Sequence, residues 1–286
     1  SDITGQVEGV FYTSDGRDIE MSVASTKAFY SQVVAGYVLA VYFACALDRM
    51  DDMTAARILL GLERCPELME SVIARREAIG RTAEGPAKRK RHWALVGSGP
   101  NKVAADEVRI KLSELCYKAI SSDFVEDKKH IDLSSEPLVL VLAAGNPEPV
   151  VGDIVKDVAI FKAHAADVVV VADEGETRFR GIADGVITVP HADYPVAVIL
   201  NTLAGHLWGY YAARSIDAEA RFFREFRGAL AERIDELDLA GLDIFEKTAD
   251  EQLHRLVDDF AASFRDRRSR GCYGSLSADV AADLSL

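Results

Sequence analysis

Two uninterrupted apolar runs, Leu138-Val-Leu-Val-Leu142 and Asp167-Val-Val-Val-Val171, constrain the fold of this chain more than any other feature. Each is short for a helix and lacks the apolar–polar alternation of a strand with one wet face, so both faces must be covered. Trp93-Ala-Leu-Val96 and Gly185-Val-Ile-Thr-Val189 are further runs of the same kind. Helical patterns separate the runs, over Asn101 to Tyr117 and near Pro149 to Ala165, and Tyr194 to Ser215 closes the series. Strands and helices in turn predict an α/β fold, a parallel sheet flanked by helices on both faces.

The flanks read differently. Upstream, Gly9 to Thr13 reads as a short strand with Ser14-Asp15-Gly16 as its turn. Ala28 to Leu47 carries no charged residue and is long enough to span a bilayer, but Ser31, Gln32 and Gly36 interrupt it and three aspartates follow. It is read as a helix buried on most faces in a soluble core, with no membrane role. Met53 to Thr82 is helical with a break at Cys65-Pro66, and Lys88-Arg-Lys-Arg91 reads as a solvated interdomain linker. Downstream, Glu219 to Leu237 and Phe245 to Phe264 form a charged helical extension, with a mobile end from Ser269.

The net charge of −13 excludes nonspecific nucleic-acid binding, which needs a cationic surface. Four scattered cysteines with no CxxC pair give neither a zinc site nor a disulfide framework. Three of them stand in apolar helical surroundings as buried thiols, and a reducing cytoplasm is the expected compartment. Gly97-Ser-Gly99 follows a strand, but Lys102 stands where a dinucleotide loop needs its third glycine; a tight strand-to-helix turn explains both glycines. No cofactor is expected.

Two places carry chemistry. In Val23-Ala-Ser25-Thr26-Lys27-Ala-Phe29 a strand-like stretch hands over to the apolar helix, setting two hydroxyls and a cation beside the free N–H groups of a helix start. Spacing alone allows the plainer reading that Ser25 or Thr26 only caps that helix. In the helix from Asn101, Glu107, Lys111 and Glu114 share one face, which on spacing alone is a solvated ion-pair ladder. Lys129-His130 follows in a charged loop where an exposed histidine would be unremarked. His164, His191 and His206 show no metal spacing and are read as structural.

Val23 to Phe29, preceded by Asp18-Ile-Glu-Met-Ser22, resembles the end of the first sugar-isomerase (SIS) domain of the glutamine–fructose-6-phosphate transaminases, the glucosamine-6-phosphate synthases. Glu107-x-x-x-Lys111-x-x-Glu114 followed by Lys129-His130 is similar to the same family's second SIS domain. The resemblance covers roughly residues 10–215. It implies a three-layer SIS fold: residues 1–86 as the C-terminal part of a first SIS domain, 87–216 as a second, and 217–286 as a helical extension.

It also implies aldose–ketose isomerisation of fructose 6-phosphate, with ammonia from glutamine hydrolysed elsewhere in the full protein, and a homodimer. Val23, Ser25, Thr26 and Lys27 would bind the substrate. Glu114 would move the proton between C1 and C2, Lys111 would belong to the catalytic set, and His130 would open the ring, from a neighbouring subunit if the loop reaches across. Three departures favour the alternative of a non-catalytic phosphosugar-binding or oligomerisation module. Ile131-Asp132 replaces the family's Gly-Pro, a second histidine after the Glu114 helix is missing, and the closing helix runs past Asp217 without the family's Schiff-base lysine tail.

Overall fold

The structure, a computed structural model, describes residues 2–13, 25–130, 133, 136–274 and 276. A short 3-10 turn at Asp2–Gly5 precedes helices α1 (Thr26–Ala46), α2 (Asp52–Glu63), α3 (Cys65–Ala74), α4 (Arg76–Ala83) and α5 (Pro86–Arg89). The α/β core then runs β1 (His92–Gly97), α6 (Asn101–Cys116), β2 (Ala119–Phe124), α7 (Val125–Lys128), β3 (Leu138–Leu142), α8 (Glu148–Ala163), β4 (Asp167–Asp173) and β5 (Gly185–Val189). Helices α9 (Val196–Leu239), α10 (Ile244–Thr248) and α11 (Glu251–Ser269) complete the described chain.

All five strands are parallel, in the order β2-β1-β3-β4-β5. Side chains alternate across the sheet. Leu138, Leu140 and Leu142 of β3 face the layer that holds α6 and α9, whereas Val139 and Val141 face α8 through Ile154, Val158 and Phe161. Both faces are therefore dry, which is why β3 and β4 needed continuous apolar runs. The three-layer α/β expectation holds.

The turn from β1 into α6 explains its glycines without a ligand. A Cβ on Gly97 would stand 2.3 Å from the Asn101 carbonyl oxygen, and Gly99 has φ +55°. Asn101 is fully buried, donates to the Ala144 carbonyl at 2.9 Å and accepts from Asn201 of α9 at 3.1 Å, locking the start of α6 to α9 and to the loop after β3. Farther along, Gly205 and Gly209 of α9 face Val108 and Leu112 of α6, so the two helices approach at glycine distance.

Several expectations are corrected. Gly9 to Thr13 is not a strand: among the described residues none pairs with it in a ladder, and Phe11 and Tyr12 are exposed. The turn expected at Ser14–Gly16 lies outside the described residues. Helix α1 is not buried on most faces; only Ala35 and Val41 are, and Leu39, Tyr42, Phe43 and Leu47 face outward. By length and composition it is long and apolar enough to cross a membrane. The basic run is docked rather than a free linker, since Arg89 pairs with Asp167 at 3.2 Å and Lys90 donates to the Ala165 carbonyl.

Two of the cysteines, Cys65 and Cys116, are buried, not three. Their burial pushes the thiols up to about 11 and about 12. Helix α9 runs unbroken across the expected boundary at 216/217, with no glycine or proline there and Asp217 paired to Arg224 at 2.7 Å. Near the end, Tyr273 is buried against Phe223 and Phe264, a small aromatic core that ties α11 back to α9.

Candidate functional site

The two chemistry-bearing stretches meet across α9. Ser25 caps α1, its Oγ accepting from the Ala28 amide at 3.1 Å, so the plain capping role is real whatever else it does. One turn on, Tyr30 lies 2.7 Å through its hydroxyl from Nδ1 of His206 on α9, and the Phe29 ring stands edge-on to the same imidazole at 6.3 Å. The other ring nitrogen of His206 is 3.5 Å from Glu107 on α6, and Glu107 is 3.8 Å from the ammonium of Lys111. The sequence Tyr30–His206–Glu107–Lys111 thus runs from the start of α1 to the acid–lysine face of α6.

The cluster is largely dry: the His206 and Lys111 side chains are each 8% exposed and that of Glu107 15%. Burial first, and the Glu107 charge second, hold the Tyr30 phenol well above its ordinary value, so it stays protonated. The Tyr30 hydroxyl and Nδ1 of His206 share one hydrogen bond, whose donor is set by the imidazole tautomer. Glu107 Oε1 and His206 Nε2 are sealed from solvent and complete no hydrogen bond in this arrangement. Beside the cluster a cavity of about 330 Å³ is lined by Tyr30, Val34, Val38, Leu62 and Met69; its walls are too apolar to hold a sugar.

The predicted residues fall into two groups. Lys111 is buried in the cluster, and Ser25, Thr26 and Lys27 stand at the start of α1, in the turn before Tyr30. Val23 lies outside the described residues. Glu114 continues the Lys111 face of α6 but is exposed. His130 is exposed too, in the turn after α7, its amide donating to the Asp127 carbonyl at 3.0 Å.

The fold does not bring Glu114 and His130 of one chain together. Helix α6 runs back against the strands, so Glu114 lies about 20 Å from the helix start, at the amino end of the sheet. His130 follows the carboxyl end of β2, and Ile131 and Asp132 after it are outside the described residues. Among the described residues no group of acids, histidines and cysteines is arranged to hold a metal ion. The residues missed from sequence are Tyr30 and His206. Nothing local marks them, although His206 beside Gly205 sits where α9 comes nearest to α6.

This arrangement, a five-stranded parallel sheet between helical layers with a polar cluster on the α6–α9 side, is a sugar-isomerase (SIS) fold. The chain superposes on the C-terminal domain of glucosamine-fructose-6-phosphate aminotransferase from Francisella tularensis with a TM-score of 0.63 and 21% identity, over 70% of this chain and 56% of that one. No family model matches the chain. It is 32% identical over 217 residues to the glutamine–fructose-6-phosphate aminotransferase (isomerizing) of Methanosarcina acetivorans, covering 74% of this chain and 34% of that protein. The Thermus thermophilus protein of the same name is 29% identical over 215 residues, again 74% of this chain and 35% of the relative. The chain belongs to the glutamine–fructose-6-phosphate aminotransferase family, and it spans about a third of the length of these relatives.

Proposed function

We propose that this chain is the isomerase portion of a glucosamine-6-phosphate synthase-like enzyme acting on fructose 6-phosphate. The observation that carries the reading is the meeting of the α1 start with the Glu107–Lys111 face of α6 across His206. In this reading the hydroxyl-rich, cationic helix start, one turn before Tyr30, and the buried ion pair serve one site. Ser25, Thr26 and Lys27 supply donors for a phosphate ester, and Lys111, fixed by Glu107, supplies a positive charge to a developing enediolate oxygen.

In this reading the sugar ring opens with His130 exchanging the hemiacetal proton. Glu114 then takes the C–H proton from one of C1 and C2 and returns it to the other, the carbonyl electrons passing through the enediol. Because Glu114 and His130 lie at opposite ends of one sheet layer, a complete site takes its histidine from a second copy of the chain, so the enzyme works as a homodimer. Ammonia comes from glutamine hydrolysed by another part of the full protein.

Thermal-shift titration with fructose 6-phosphate, with unphosphorylated fructose as control, tests the binding half. Saturation at one hundred times Kd raises stability by about 2.7 kcal/mol. The reading predicts a saturable shift with the ester alone that Lys27→Gln reduces. A shift unaltered by Lys27→Gln would remove the α1 start from the site. The second reading, a non-catalytic phosphosugar-binding or oligomerisation module, is favoured by one observation. Helix α9 continues as helix through the positions after Ser215, where the family's lysine tail would begin. That reading predicts binding without turnover.

A further inference from the structure

Beyond Ser215 the chain builds an arm. Helix α9 is buried against the domain as far as Ser215, and past it only Leu237 is buried. Trp208 packs edge-on to Trp93 at the start of β1, so α9 leaves the domain at the amino end of the sheet. From Asp217 to Leu239 it runs on for about 34 Å. Helix α11 returns beside it, held near the tip by Arg233 to Asp250 at 2.6 Å and nearer the root by the stacked rings of Phe226 and Phe260. The return ends against the domain, where a Cβ on Gly274 would stand 3.5 Å from the Arg89 Cα.

Charge is sorted along this arm. The outer half, residues 229–259, holds ten acidic residues against three basic. The inner half, residues 217–228 and 260–274, holds seven basic against four acidic, in a chain of net charge −13. Through the Gly274 contact the inner half also adjoins the basic run Lys88-Arg-Lys-Arg91. Glu232, Asp235 and Asp258 in the outer half and Arg227 in the inner half are exposed, and none is in an ion pair among the described residues.

Within one chain the two halves cannot meet. Their centres stand about 20 Å apart along an unbroken helix, more than twice the Debye length of about 8 Å at physiological salt. The arm also leaves apolar side chains uncovered. Leu239, Ile244 and Phe245 at the tip are 91%, 65% and 80% exposed, and Ile234 and Val257 farther in are exposed as well.

We propose that the arm is a homodimer interface, in which two copies pair their arms antiparallel about a two-fold axis and each acidic outer half lies along the basic inner half of the other copy. An antiparallel pair is self-complementary, as a two-fold contact must be, and it carries each apolar tip to the root of the other arm. Two helices side by side, about 20 Å wide and about 34 Å long, offer about 700 Å² on one face, close to the roughly 800 Å² per partner of a standard interface. The interface is built from the arm alone and rests on neither reading of the sugar site.

Sedimentation equilibrium of this chain tests it, on wild type, the outer variant E232K/D235K/D258K, the inner variant R221E/R227E/R270E and an equimolar mixture of the two variants. All six positions are exposed, and far-UV circular dichroism verifies that each variant keeps its helices. The proposal predicts that the wild type assembles to twice the mass of one chain, less tightly as salt is raised. Each variant alone should dimerise at least about tenfold more weakly, because like charges then face each other across the pair. The mixture should recover the wild-type affinity, since a lysine-bearing outer half meets a glutamate-bearing inner half. A wild type that stays monomeric would overturn the proposal. So would variants that dimerise as tightly as the wild type, the result a dimer formed through the sheet layers alone would give, and so would a mixture that associates no more tightly than its components.

Discussion

Substitution of Gly205 by alanine probes the contact that assembles the candidate site. An added Cβ would stand 2.6 Å and 2.9 Å from the two Val108 methyl carbons and 3.3 Å from its Cβ. Carbon atoms pack at about 3.5–4.0 Å, so something must move by about 1 Å. Val108 is fully buried and β-branched, and a helix strongly favours a single χ1 rotamer for valine. Helix α6 must then back away from α9. Overpacking of this kind costs about 1–3 kcal/mol, while replacing a helix-interior glycine by alanine returns about 1 kcal/mol.

The net loss is therefore about 0–2 kcal/mol, a drop in Tm of up to about 6 °C for a chain of this size. The assay is thermal and urea unfolding of wild type, Gly205→Ala, Val108→Ala and the double variant. The double variant should be more stable than the sum of the single losses allows, with a coupling above about 0.5 kcal/mol, because removing the valine methyls makes room for the alanine. A higher Tm in Gly205→Ala alone is what helix propensity without contact would give. It would refute the close approach of α6 and α9, and with it the placement of His206 against Glu107.

Two further outcomes follow from the same structure. His206→Phe keeps an aromatic ring but leaves the Tyr30 hydroxyl buried without its partner; at about 1–3 kcal/mol for an unsatisfied group it should lower stability in urea unfolding, and Tyr30→Phe in the same background should recover part of the loss. Asp250 caps α11 and pairs with Arg233 at 2.6 Å, and the Arg233 guanidinium, then the Leu253 amide, hold its pKa to about 2, below the ordinary 3.8. A depressed carboxylate stabilises above its unfolded value and loses that contribution as the pH falls through the folded one. Docking of α11, followed by amide exchange, should weaken between about pH 4 and pH 2, and Asp250→Asn should remove that step.

How much was legible in advance depended on whether the signal was local. Leu138–Leu142 and Asp167–Val171 announced buried central strands because both their faces are covered. Strand β2 was invisible for the opposite reason: Ser121, Ser122 and Asp123 sit on an edge strand paired on one side only, which tolerates polar residues. The domain boundary expected at 216/217 came from a shift toward charge, and helix α9 runs through that point, which holds no glycine or proline. In the candidate site, Glu107 and Lys111 were visible as an i, i+4 pair. Tyr30 and His206 were not, because their contact joins residues 176 positions apart and no spacing rule reaches that far.

The central claim is that this chain carries the base of a sugar-phosphate isomerase, and isotope exchange in the complete protein tests it most directly. Fructose 6-phosphate is incubated in heavy water, and deuterium entering C1 or C2 of the hexose phosphate is followed by NMR for wild type and Glu114→Gln. The account predicts exchange in the wild type and a loss of about 10²-fold or more in the variant, the scale of a general base. Equal exchange rates in the two proteins would contradict it.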